Sequence, residues 1–285
     1  MKMKRIFIVG CPRSGTTLVQ SIVASHSAVH SFTESHFFFF MPRRMFPRRT
    51  YARWEMTIKK FIEENITKDD AVIEILMKQF ASLQTTNEKV GWFISLLDNA
   101  AIKQEKHCWV EKTPDHLFSI PVIQRFCPGA QFVHVIRKPE TNIPALQNTV
   151  SFWKGRWNKF WLKNYLHWIL SARKSKKYIW SSNHTFVFYE DLLENSSEQA
   201  ILLQQCLGIP VELDILQKRK DSAKAIISSN EHWKSDVYQD IGVVTETLPT
   251  IPQYLLPLLH LAKKYYSGIH TSWHKRVATL HNPKD

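Results

Sequence analysis

Near the start of the chain, the run Gly10-Cys11-Pro12-Arg13-Ser14-Gly15-Thr16-Thr17-Leu18 gathers two glycines, a cation and three hydroxyls. A glycine turn that opens a helix aims backbone N–H groups and a positive helix end at an anion, so a phosphate is its natural ligand. Gly10, Gly15 and Thr17 fall on the Walker A spacing GxxxxGK[ST], yet the lysine position holds Thr16. An ordinary NTPase is thereby disfavoured. The cation sits three residues earlier, at Arg13, where it could reach a bridging or leaving phosphate oxygen, and Ser14, Thr16 and Thr17 add donors. A purely structural turn has the same spacing; a strand before it and a helix after it favour the ligand.

Both flanks read that way. Lys4 to Gly10 (KRIFIVG) is a short apolar, β-branched run ending in glycine, the pattern of a buried parallel strand, and Thr16 to Ser25 reads as a helix. Ala28 to Phe32 suits a second strand. Trp54 to Lys106 is mostly helical, with Asp69 and Asp70 as capping candidates, and reads as a helical insertion. Strand character returns at Cys108 to Val110, Gln131 to Ile136 and Thr185 to Tyr189, each beside helical sequence. Alternation of this kind predicts an α/β fold, a central parallel sheet flanked by helices. Trp153, Trp157, Trp161 and Tyr165 recur every four residues, a spacing that suits core or subunit packing better than an aromatic acceptor site.

The 285 residues are 44% hydrophobic and 22% charged, enough apolar content for a sizeable core, and without linker or repeat they read as one domain, 1–285. A net charge of +13 favours a polyanionic ligand, an acidic acceptor, nucleic acid or an anionic membrane surface. Cys11, Cys108, Cys127 and Cys206 lie far apart with no CxxC pair, and the thirteen histidines show no HExxH, so neither a metal site nor a disulfide scaffold is suggested. With no signal-like or membrane-spanning run, a cytoplasmic location is expected.

The segment CPRSGTTL resembles the 5′-phosphosulfate loop of the sulfotransferase family, in which PKSGTT or PRSGTT replaces Walker A. Three further segments follow in the family's order. Trp109 to His116 (WVEKTPDH) resembles the EKTP segment of bacterial and tyrosylprotein-like members, and Phe132 to Pro139 (FVHVIRKP) resembles the strand and turn that bind a 3′-phosphate. Phe186 to Gly208 resembles the late strand, YEDL turn and following helix. The resemblance implies a P-loop-like fold and transfer of a sulfuryl group from 3′-phosphoadenosine 5′-phosphosulfate (PAPS) to a hydroxyl acceptor, leaving 3′-phosphoadenosine 5′-phosphate (PAP). No metal is needed, since Arg13, Lys112 and Arg137 can meet the donor's charge.

It also implies roles. Cys11 to Leu18 bind the donor, with Arg13 and Lys112 near the sulfuryl group and Arg137 forked onto the 3′-phosphate. A plain salt bridge to Glu111 is the alternative for Lys112. In-line transfer needs a base on the acceptor oxygen. Glu34, 21 residues after Arg13, lies where tyrosylprotein-like members place a catalytic glutamate, whereas His36 stands where they have arginine and could itself be the base. The serine that the family usually adds eight residues after Arg137 is Ala145 here, leaving Thr141, Asn142 or Thr149 as substitutes. Ser228, Ser229 and Lys234 are candidates for late nucleotide contacts, and Asp191 of the YEDL turn reads as a helix cap.

Between residues 41 and 53, MPRRMFPRRTYAR carries Arg43, Arg44, Arg48, Arg49 and Arg53 with no acidic residue, directly after Phe37 to Phe40. Its two prolines disfavour a regular helix, which suggests a mobile or extended flap, phenylalanines inward, whose arginines recruit an acidic acceptor such as a carboxylated glycan, anionic lipid or acidic peptide. A solvated loop or a peripheral membrane contact are the alternatives. The runner-up activity is a P-loop small-molecule or nucleotide kinase, opposed by Thr16. A nucleic-acid-binding protein rests on charge alone and has no recognition motif.

Overall fold

The apolar run Lys4–Gly10 forms β1, the middle strand of a five-stranded sheet in a computed structural model of the protein, which describes residues 2–42, 47–148, 161–226, 241–242 and 249–281. The strands are β2 (Val29–Phe32), β3 (Cys108–Lys112), β4 (Gln131–Ile136) and β5 (His184–Phe188), in the order β2-β3-β1-β4-β5. All pairings are parallel, with Ile8 beside Lys112 on one side and Gly10 beside Val135 on the other. The predicted strands are all present.

Parallel pairing requires a crossover after each strand, and the helices that make them cover both faces. Ile6, Ile8, Val110, Val133 and Val135 pack on one face with Leu18, Val19 and Ile22 of α1 (Thr16–Ala24) and with Leu203 and Leu207 of α10 (Ser196–Leu207). On the other face, Phe7, Trp109 and Phe132 meet the insertion, α3 (Pro47–Asn65), α4 (Asp70–Ser82) and α5 (Thr86–Lys103), through Trp54, Phe61, Phe80 and Phe93. There the ring of Phe37, in the short α2 (Phe37–Phe40), stacks on Phe93 at 3.9 Å and 4°. Each such buried phenylalanine contributes about 1.5–3 kcal/mol. Asp98 of α5 ties this layer to the sheet, accepting from Arg5 Nη2 at 2.7 Å and from Trp109 Nε1 at 2.8 Å.

Capping explains where the insertion breaks. Asp69 accepts from Ala71 N at 2.9 Å, as anticipated, and Thr85 with Glu88 forms a capping box at the start of α5. The extended flap is corrected from Pro47 onward: that proline is the first residue of α3, a position where its fixed φ and absent N–H suit a helix start. Arg43 and Arg44 lie outside the described residues. Trp161 and Tyr165 lie on α8 (Trp161–Lys176) and pack against the core that holds Trp168 and Trp273, in keeping with the packing reading, while Trp153 and Trp157 lie outside the described residues.

The strand ends matter most for function. Glu34, Gly10, Lys112, Arg137 and Tyr189 each follow or close the C-terminal end of a strand, so residues scattered over the chain meet along one edge of the sheet. Ligands of open parallel sheets bind at that edge, beside the strand from which the chain departs in both directions; here that strand is β1, between β3 and β4.

Candidate active site

The loop after β1 is shaped by close approach. A Cβ on Gly10 would lie 2.4 Å from the carbonyl oxygen of Val135, and one on Gly15 would lie 2.3 Å from Cδ2 of Tyr189. Gly15 also has φ 93° and caps α1, so only glycine lets the chain turn there with its N–H groups facing outward. Ser14 N donates to Cys11 O at 3.2 Å to close the turn, and Arg13 takes a left-handed backbone, φ 66°. Ser14 and Thr16 are buried; Cys11, its thiol pushed up by burial, packs in the core below.

Residues that follow β4 and β5 hold this loop from behind. Arg137 Nη1 donates to Arg13 O and Asn142 Nδ2 donates to Pro12 O, at 3.1 and 3.0 Å. Asn142 belongs to α7 (Pro139–Asn148). Arg137 Nε reaches Thr141 Oγ1 at 3.1 Å, and its guanidinium lies 4.8 Å from the centre of the Tyr189 ring. Ala145 is fully buried in the same helix, and Thr149 lies outside the described residues.

A second cluster forms at the ends of β2 and β3. Lys112, 1% exposed, donates from Nζ to Glu34 Oε1, not to Glu111, and His36 Nε2 stands 3.3 Å from Glu34 Oε2. Below them the fully buried Glu111 accepts from Ser35 N at 3.0 Å, Ser35 Oγ at 2.8 Å, Thr113 Oγ1 at 2.6 Å and His116 Nδ1 at 3.0 Å. Burial raises its carboxyl pKa, but His116, Thr113 and Ser35 outweigh that and hold it below the usual range. Phe38 N donates to His116 Nε2, which leaves the ring proton on Nδ1, facing Glu111. Burial lowers the pKa of His36, with Glu34 opposing. Its backbone is left-handed, φ 48°. Of the three non-glycine residues with positive φ among the described residues, two are Arg13 and His36, and local strain of this kind gathers at functional sites.

The sequence model of the sulfotransferase family matches residues 5–213, from β1 through α10. The chain belongs to the sulfotransferase family. Its fold is that of the sulfotransferase domain of an olefin synthase from Synechococcus PCC 7002, TM-score 0.64 at 18% identity, covering 93% of this chain and 96% of that one. The sulfotransferase domain from the curacin biosynthetic pathway superposes with a TM-score of 0.59 at 18% identity, covering 94% and 99%. No curated protein sequence matches the chain.

In this sulfotransferase the anticipated residues Cys11 to Leu18, Glu34, His36, Lys112 and Arg137 all lie at one sheet edge. Ser228, Ser229 and Lys234 lie outside the described residues. Asp191 requires a correction: it lies inside α9 (Tyr189–Glu194) and its carboxylate faces His270 and His274 of α12 (Leu256–His281) instead of capping a helix, because α9 begins directly at Tyr189. Three residues escaped the sequence reading: Tyr189, which abuts Gly15; Glu111, considered there only as a salt-bridge partner; and His116. The EKTPDH segment contains the last two, and the charged Glu111 within an apolar strand was the available signal. Among the described residues no helix is long and apolar enough to cross a membrane.

Proposed function

We propose that the protein transfers a sulfuryl group from PAPS to a hydroxyl acceptor, with Glu34 as general base. The observation that supports this reading most is that a glycine-built anion loop backed by Arg137 stands at the same sheet edge as the Glu34–Lys112 pair. The loop suits an anionic group: Ser14 Oγ and Asn142 Oδ1 are buried beside it without a partner among the described residues, and such atoms cost about 1–3 kcal/mol unless a ligand or water satisfies them. Bound there, the donor supplies an activated sulfuryl group on a phosphate leaving group.

The residues then divide the work. The N–H groups of the loop and the start of α1, with Ser14, Thr16 and Thr17, hold the 5′ side, and Arg13 offsets charge that builds on the departing phosphate. Arg137, already oriented by Thr141 and the Arg13 carbonyl, meets the 3′-phosphate. Lys112 neutralises the sulfuryl oxygens and holds the Glu34 carboxylate in place. Glu34 takes the acceptor's proton. His36 is the lesser candidate: its Nε2 stands 3.3 Å from Glu34 Oε2, so the imidazole faces the carboxylate and is placed to orient it.

Calorimetry with PAP and AMP tests the donor assignment. Each charged hydrogen bond to the 3′-phosphate contributes about 1.5–3 kcal/mol, so PAP should bind at least ~10-fold tighter and Arg137→Ala should remove most of that preference. Equal affinity for the two nucleotides in the wild type sinks the proposal.

The basic segment suggests an acidic acceptor. The guanidinium of Arg53 lies 4.1 Å from the centre of the Phe40 ring, and that ring neighbours His36 at 5.9 Å, so exposed positive charge stands close to the proposed base.

A further inference from the structure

On α12, His270 and His274 are one helical turn apart and present their rings to the same side, toward α9. Asp191 of α9 faces them. His270 Nε2 lies 3.0 Å from both Asp191 oxygens, His274 Nε2 lies 3.0 Å from Asp191 Oδ2, and the two Nε2 atoms are 3.1 Å apart. Phe188 packs edge-on against the His270 ring at 4.6 Å, and Tyr266 stacks on it at 5.9 Å, which orients the imidazole without polar contact.

Protons alone satisfy this arrangement poorly. If both Nε2 atoms carry hydrogen toward the carboxylate, two N–H dipoles stand 3.1 Å apart and repel. If only one does, the other turns a lone pair on an anionic oxygen. A cation at the centre accepts all the lone pairs together. Nitrogen and oxygen ligands held at ~2.0–2.1 Å in a tetrahedron are separated by about 3.3 Å, close to the spacings found here. Two imidazoles and one carboxylate suit zinc and its neighbours in the transition series better than magnesium or calcium. The trio borders a surface cavity of about 530 Å³ whose lining includes Asn195, Glu198 and Gln205, so there is room for water or a further ligand on the metal.

We propose that Asp191, His270 and His274 bind a divalent transition metal ion of the zinc type, at a site separate from the sulfuryl-transfer residues. His270 and His274 of α12 lie beyond the span matched by the sulfotransferase family, whereas Asp191 lies within it. The ion would pin α12 to α9, the short helix whose Tyr189 abuts Gly15 and whose Glu190 accepts from Lys138 N at 2.9 Å and from Tyr266 OH at 2.9 Å. Its role is therefore to brace the wall behind the donor loop, and no step of the transfer passes through it.

The test uses tag-free, full-length protein stripped by chelation, titrated with Zn2+ by calorimetry and with Co2+ by visible absorption. One saturable equivalent is expected, with cobalt bands of a four- or five-coordinate site and a Tm raised by ~5–10 °C at a hundredfold excess of free zinc over Kd. Asp191→Asn, His270→Ala and His274→Ala should each weaken binding more than ~10-fold, since even groups one step removed from a metal command ~10–100-fold. His274 is exposed, so His274→Ala and His274→Gln should keep the fold and report on the ligand alone. Absence of a saturable equivalent in the wild type, or unchanged affinity in the His274 variants, overturns the proposal.

Discussion

The donor loop and the base cluster lie on one sheet edge but are built in opposite ways. The loop is made largely of backbone, from a contiguous stretch whose two glycines are dictated by the Val135 carbonyl and the Tyr189 ring. The base cluster is made of side chains from two distant segments, Glu34 to His36 and Lys112 to His116, joined by a buried carboxylate that takes hydrogen bonds from both. The backbone part of the donor site persists as long as the turn survives, with Arg13 adding charge to it. A side-chain site fails when a single central group is lost. The comparison therefore predicts that substitutions at Glu34, His36 and Glu111 disturb chemistry, or the fold locally, while leaving donor binding intact.

The largest effect should come from Glu34→Gln, which keeps size and shape but removes the base. Turnover should fall by ~10²–10⁴-fold with PAP affinity retained, measured by steady-state kinetics beside calorimetry. His36→Ala should cost less. A reversed ranking would make the histidine the base, and a parallel loss of PAP affinity would erase the separation between the two regions.

Next comes Glu111→Gln, which keeps the shape at the centre of the cluster and discards the charge. A loss of about 3 kcal/mol in unfolding free energy is expected from hydrogen bonds that no longer meet a buried anion. The pH dependence sharpens this. Because Glu111 has a folded pKa below its unfolded one, its stabilisation is fully present above the ordinary carboxylate range and is lost as pH falls through the lower folded value. The gap between wild type and variant should thus be constant near neutrality and close in acid. A gap that widened on acidification would show that the carboxyl is protonated in the native protein.

Arg53→Glu is the mildest probe and asks whether the comparison extends to the acceptor. A several-fold rise in acceptor KM, little change in PAP binding and suppression by high salt are expected of a screened surface charge. Unchanged acceptor kinetics would leave Arg53 as ordinary surface.

How far these features were legible from sequence follows from the same contrast. The strands, α1, the Asp69 cap and the donor loop are local: apolar runs, turn residues and spacing carry their signal within ten residues or so, and the order of four motifs pointed to the family. The Pro47 helix start was misread because proline disfavours a helix interior but suits a first turn, and only the tertiary course decides which applies. Asp191 was misread for a related reason, since a carboxylate after a strand caps a helix only if the helix starts beyond it.

By itself, then, the sequence determined a parallel α/β sheet, an anion loop with arginine in place of the usual lysine, and a short roster of charged residues beyond the strand ends. The tertiary structure alone decided who meets whom: that Lys112 pairs with Glu34 and not with its neighbour Glu111, that Tyr189 presses on Gly15, and that Asp191 joins two histidines 79 and 83 residues away. Neighbours along a strand point to opposite faces, so Lys112 reaches Glu34 while Glu111 turns to Ser35, Thr113 and His116. Contacts over such separations are set by the packing of whole helices on the sheet, which no local pattern records.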